Sequence, residues 1–180
     1  ETHFTDEKAG SLRSATYKRL RRHWQFINEL SLFEIHNLVS YGVHIYGAES
    51  DVAFEMATSL YHPETVERSY SHDDTGDEPG IKDPDGNWDL RAHRNRIITV
   101  NDATLATWHA VLEDETVPTR HTRMAFAVNR ATADIVAKLA EVPRLGLLRF
   151  EYSQGWNETT DFKSGMFSKE WGAPARWDDV

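Results

Sequence analysis

Nine histidines and 29 aspartates and glutamates supply most of the ionisable side chains of this 180-residue chain, and it has no cysteine. Thiol nucleophiles, thiolate zinc sites and disulfides are thereby excluded, while imidazole and carboxylate stay available to move protons near neutrality. The histidines fall into no HExxH or strand HxH pattern, nor into a carboxylate-histidine repeat at helical spacing, so the sequence predicts no metal site and no cofactor. In DPDGNWD, Asp83, Asp85, Asn87 and Asp89 set oxygen side chains on alternate residues, as calcium loops do. Trp88 and Arg94 stand where an EF-hand loop needs Gly and Glu, and the same string suits an Asx or Gly turn. No GxSxG elbow, GxxxxGKS loop or GxGxxG loop is present, so nucleotide-dependent chemistry has no support.

The remaining candidates are ionisable residues set among apolar ones, where burial and neighbours tune proton affinity. Tyr41, His44 and Tyr46 lie in one apolar run, and His93 and His109 in two later ones. The plain alternative for each is a core or rim side chain whose polar atom finds a hydrogen bond.

The elements that must position them read as follows. Leu12, Tyr17, Leu20, Trp24, Ile27 and Leu30 predict an amphipathic helix over residues 11 to 30. Ser31 and Glu34 form a capping box for a second helix, which carries Ile35, Leu38, Tyr41, Val43 and Ile45 up to Gly47. Ser50 caps a third helix over 51 to 61, closed by Pro63. Residues 71 to 90 are rich in Asp, Gly and Pro and predict a long loop. Residues 91 to 100 and 103 to 112 read as a β-hairpin turning at Asn101-Asp102. In that register His93, Asn95 and Trp108 share a face and His109 lies on the other; a one-residue bulge brings the two histidines together. A strand over 123 to 128, a helix over 131 to 141 and a strand over 145 to 152 complete the α+β pattern of a single domain.

Composition bounds the class. A 39% hydrophobic content with six Trp is globular, and a net charge of -9 argues against binding nucleic acid. The basic cluster Lys18, Arg19, Arg21 and Arg22 reads as a solvated helix face. No apolar run approaches a membrane span, and a cytoplasmic setting is expected.

The run EIHNLVSYGVHIYGAESDVAFEMATSLYHPETV resembles the N-terminal helices of NTF2-like proteins of the SnoaL type, which include polyketide cyclases and scytalone-dehydratase-like enzymes. The matching places are Ile35, Leu38, Tyr41, Asp51 and LYHPETV at 60 to 66, with Tyr46 where the family has the first acid of a pair. The run AHRNRIITVNDATLATWHA resembles that family's central strands through His93, Asn95, Ile98, Val100 and Ala106. The resemblance covers about half the chain. It implies N-terminal helices packed on a curved antiparallel sheet, a cone-shaped α+β barrel whose mouth is an apolar pocket. It further implies a small-molecule lyase or cyclase working by metal-independent acid-base catalysis. His93 would move the proton, Asp51 or Tyr41 would orient the substrate, and His109 would assist. His44, Tyr46, Asn95 and Trp108 would contact a small hydrophobic or aromatic substrate. A homodimer is expected, or a component of a larger assembly, and the alternative function is a non-catalytic scaffold subunit.

Overall fold

The computed structural model describes residues 2–148, 151, 155–166 and 168. Two compact units emerge, Glu1–Pro143 and Arg144–Val180. The first opens with two 3-10 turns (Thr2–Phe4 and Glu7–Ala9) and helix α1 (Gly10–Arg19), from which the chain passes directly into strand β1 (Leu20–Ile27). Strands β2 (Ser40–Tyr46) and β3 (Ala53–Leu60), helix α2 (Pro63–Tyr70), strand β4 (Ile98–Asn101) and helices α3 (Asp102–Leu112) and α4 (Arg130–Ala140) follow. The sheet order is β2-β1-β3-β4, with β1 antiparallel to β2, parallel to β3, and β3 antiparallel to β4. The α+β class is as expected. The sheet is mixed and open, so the wholly antiparallel arrangement is corrected, and the strands lie mainly before residue 61.

Each departure from the sequence expectation has a local cause. The helix expected over 11 to 30 stops at Arg19, because β1 is a central strand, paired on both edges and buried on both faces over residues 23 to 26. Trp24 and Phe26 face one side, and His23 the other. The second expected helix is absent: Ser31 adopts a left-handed conformation, φ 52°, and caps a 3-10 turn, Asn28–Leu30. The run SYGVHIY then forms a strand, which its β-branched and aromatic residues favour. The third expected helix is β3, and Pro63 opens α2 at its first turn, where the missing N–H costs nothing. Ser59 is left-handed, φ 55°, at a register shift that lets Leu60 pair with Phe26.

The expected hairpin is a strand-to-helix junction. Asn101 is the N-cap of α3 in a reciprocal capping box with Thr104, so Asn101-Asp102 starts a helix instead of turning a hairpin. His93 and His109 therefore have no cross-strand register to share. Residues 123 to 128 form no strand; Met124 donates its N–H to the Phe4 carbonyl at 2.9 Å, and Met124 and Ala127 enter the core. The helix expected over 131 to 141 is α4, capped by Asn129, although Ile135 and Leu139 face solvent and Ala133 and Val136 meet the core.

One core cluster joins Phe4, Tyr17, Phe54, Met56, Val100, Leu105 and Trp108, and a second joins Trp24, Phe26, Ala57, Leu60 and Val66. In the second unit, Leu145–Leu148 is a 3-10 turn, and helix α5 (Glu158–Lys163) is capped by Asn157. The strand expected over 145 to 152 thus lies partly outside the described residues.

Candidate functional site

The acidic loop is pinned at its far end by a buried carboxylate. Asp89 accepts hydrogen bonds from the backbone N–H groups of Gly80 and Arg91, each at 3.0 Å, and from the Arg91 guanidinium at 2.8 and 3.0 Å. Burial pushes the Asp89 carboxyl up, but these donors outweigh it and hold the group below its ordinary value. Arg96, also buried, donates to the carbonyls of Arg91, Gly80 and Asp89. Between them the DPDGN string closes on itself. Asp83 accepts N–H bonds from Asp85 and Asn87 at 3.0 and 2.8 Å, and the Lys82 ammonium sits 3.1 Å above the Trp88 ring. The string thus forms the Asx-type turn its sequence suits.

At the near end, folding brings two histidines together. His72 follows α2, and His93 precedes the 3-10 turn Arg94–Arg96; their ring centroids are 4.9 Å apart. One ring nitrogen of each and a carboxylate oxygen of Asp74 lie within 4.8 Å of one another. His93 is buried, His72 partly so, and Asp74 is exposed in a left-handed conformation with φ 63°. Ser69 anchors the pair: its hydroxyl accepts the His93 N–H at 3.1 Å and donates to the Thr65 carbonyl at 2.6 Å.

The tautomers follow from the backbone. His72 Nδ1 accepts the Asp74 N–H at 3.1 Å, and His93 Nδ1 accepts the Asn95 N–H at 3.1 Å. With each Nδ1 an acceptor, each neutral ring carries its proton on Nε2. Asn95 extends the cluster by donating its side-chain amide to Glu78 at 2.5 Å.

The other sequence candidates are dispersed. Tyr41, on β2, stacks on Phe26 at 5.4 Å and lines a 330 Å³ apolar cavity with Leu32, Phe33, Val43, His62 and Pro63; burial raises its hydroxyl pKa. Asp51 is exposed in the turn after β2. His44 places Nδ1 3.1 Å from Nδ1 of the buried His23, and Tyr46 lies beside it with ring centroids 6.2 Å apart. His23 packs between Phe4 and Phe126, and its Nε2 has no hydrogen-bond partner among the described residues. Burial, reinforced by His44, depresses the His23 pKa to about 3. His109 is on α3, with Nε2 2.7 Å from the Val117 carbonyl oxygen. Trp108, on the same helix, lines a 520 Å³ cavity with Met56, Ile98 and Arg130.

His93 and Asn95 are the two predicted site residues that the fold keeps together with a polar cluster, and His93 lines neither of these cavities. His72, Asp74, Ser69 and Glu78 were not among the sequence candidates. The SHDD string at 71 to 74 was the available signal, but its partner lies 19 or more residues away, across the loop. Among the described residues, no helix is long and apolar enough to cross a membrane. The chain matches no protein-family model, no curated protein and no solved structure.

Proposed function

We propose that the His72–Asp74–His93 cluster is the centre of a cofactor-free lyase or isomerase that abstracts a proton next to a carbonyl group. The observation that carries this reading is the pair of backbone N–H groups capping both Nδ1 atoms beside a carboxylate. A neutral imidazole whose Nε2 bears the proton is an electrophile: it donates a hydrogen bond to an oxygen that gains charge. Protonating either ring would set an Nδ1–H against a backbone N–H, so these rings suit hydrogen-bond donation better than proton delivery. Asp74 supplies the base. His93 thus keeps the central place the sequence gave it, as an electrophile in place of a proton carrier. Kinship with NTF2-like proteins belongs to the same proposal, supported by a four-stranded sheet with helices packed on it.

A second reading uses the same atoms. Two histidines and one carboxylate form a donor set for a divalent transition metal with open positions, and folding gathers them where sequence spacing did not. For a metal to sit on Nε2, the rings must carry their protons on Nδ1, against the two backbone N–H groups.

Long-range ¹H–¹⁵N spectra of the two imidazoles, followed by zinc titration, separate these readings. The enolisation reading expects Nε2–H tautomers, exchange of α-protons from simple ketones in D₂O, and a loss on the order of 10²–10⁴-fold in Asp74→Asn. Nδ1–H tautomers, or stoichiometric zinc binding lost in His93→Ala, would replace it with the metal site.

A further inference from the structure

Among the described residues strand β2 is an edge strand, and apart from a bulge in β1 opposite its Tyr46 end it carries none of the sequence devices that normally protect one. Its seven residues, SYGVHIY, contain no Lys, Glu, Asp, Arg or Pro, and its pairing with β1 runs without a register break from Ser40 to Ile45. Edge strands left uncharged, straight and apolar are templates for another strand. Val43, Ile45 and Tyr46 are 47%, 44% and 49% exposed, and Phe33 and Leu38 in the preceding loop are exposed as well.

The hydrogen-bonding parity of the edge is fixed at both ends. Gly47 donates its N–H to the Arg19 carbonyl at 2.7 Å, and Asn28 donates to the Val39 carbonyl at 3.1 Å. Alternation along an antiparallel strand then turns the odd-numbered residues toward β1. The N–H and C=O groups of Ser40, Gly42, His44 and Tyr46 point outward.

We infer that β2 is the seam of a two-fold homodimer, in which it pairs antiparallel with the β2 strand of a second copy. Centred on Val43, the pairing sets Ser40 opposite Tyr46 and Gly42 opposite His44, so all four outward-facing residues are used on each chain. On the other parity, Val43 meets its own copy and Tyr41 meets Ile45, an aromatic–β-branched pair.

Charge selects the antiparallel sense and a second copy as the occupant. Beside the Tyr46 end of the strand lie Lys18, Arg19 and Arg21, since Leu20 pairs with Tyr46. Glu49 bridges Lys18 and Arg19, whereas among the described residues Arg21 donates to the carbonyls of Lys18, Leu20 and Ala48 and forms no ion pair. Beside the Ser40 end, after Ile27, lie the half-buried Glu29, which accepts from the Asn37 side-chain amide at 3.3 Å, and the exposed Glu34. Two-fold pairing carries the basic end of each copy onto the acidic end of the other, whereas parallel pairing would set like ends together. A chain of net charge -9 thereby meets itself through a strand that carries no acidic residue.

Sedimentation equilibrium and light scattering on the full chain, over a micromolar to millimolar dilution series, test this. The expected result is a concentration-dependent species of twice 20.7 kDa. Gly42→Pro removes only an outward N–H and should yield a monomer with an unchanged circular dichroism spectrum, while Gly42→Ala should still dimerise. Arg21→Glu and Glu34→Arg should each weaken the dimer several-fold, and the double variant should regain it. A wild-type chain that stays monomeric throughout the series overturns the inference. So does a dimer that survives Gly42→Pro, or charge reversals that fail to rescue each other.

Discussion

Acidification should unfold this protein through one histidine. His23 is completely inaccessible to solvent, and its pKa is depressed to about 3 by burial and by His44, against 6.5 for the free side chain. Between those values the unfolded chain binds a proton that the native protein refuses. The contribution to stability is therefore fully present above pH 6.5 and is lost as pH falls toward 3. One proton corresponds to about 1.4 kcal/mol per pH unit, hence on the order of 5 kcal/mol over the whole window and about 2 kcal/mol between pH 6.5 and 4.5. That is a large share of the roughly 5–15 kcal/mol that holds a domain folded. The depressed carboxylates Asp89 and Glu113 act lower, below their ordinary values of 3.8 and 4.5, so they leave the upper interval free of interference. His44 and His3 are also lowered by burial and add to the slope, which makes substitution the clean comparison. His23→Phe keeps the face-to-face contact with Phe126 at 5.8 Å and the edge contact with Phe4 at 4.9 Å, and it removes the unpartnered Nε2. Urea unfolding at pH 6.5, 5.5 and 4.5 should show the variant losing about 2 kcal/mol less than the wild type. Equal losses in the two proteins would refute the reasoning, as would an NMR titration of native His23 with its midpoint near 6.

Three further outcomes follow from local geometry. Asn101→Ala opens the capping box at the start of α3 and should cost about 1 kcal/mol in urea unfolding, while Asn101→Gly should cost only a few tenths. Asp89→Asn removes the charge that Arg91 and the buried Arg96 face; a loss of about 3 kcal/mol is expected, with faster proteolytic cleavage within residues 72 to 90. Tyr17→Phe deletes a buried 2.9 Å hydrogen bond to the Thr122 carbonyl, which the Arg13 guanidinium continues to satisfy. Its cost should stay near 1 kcal/mol, measured as a shift in the denaturation midpoint.

The sequence by itself determined several things about this chain. Its length and composition established a globular chain with a core, apolar patterning established the α+β class, and Asp, Gly and Pro density marked the loop at 71 to 90. The helix near 131 to 141 was legible from the helical spacing of Ile135, Val136 and Leu139, although the structure turns Ile135 and Leu139 to solvent. His93 and Asn95, singled out in an expected hairpin strand, lie instead at a 3-10 turn beside His72 and Asp74. Tertiary structure decided the first 61 residues. The spacing of Leu20, Trp24 and Ile27 is compatible with a helix, yet β1 gains strand partners on both edges and burial on both faces, and propensity is too weak to resist that. At Asn101-Asp102 the same two residues serve a hairpin turn or a helix cap, and the packing of Leu105 and Trp108 against the sheet chose the cap. The His72–His93 contact was invisible for a different reason. It joins the end of one helix to a turn across a long loop, and a contact of that kind is set by where Ser69 and Asp89 tie the backbone, not by any spacing along the chain.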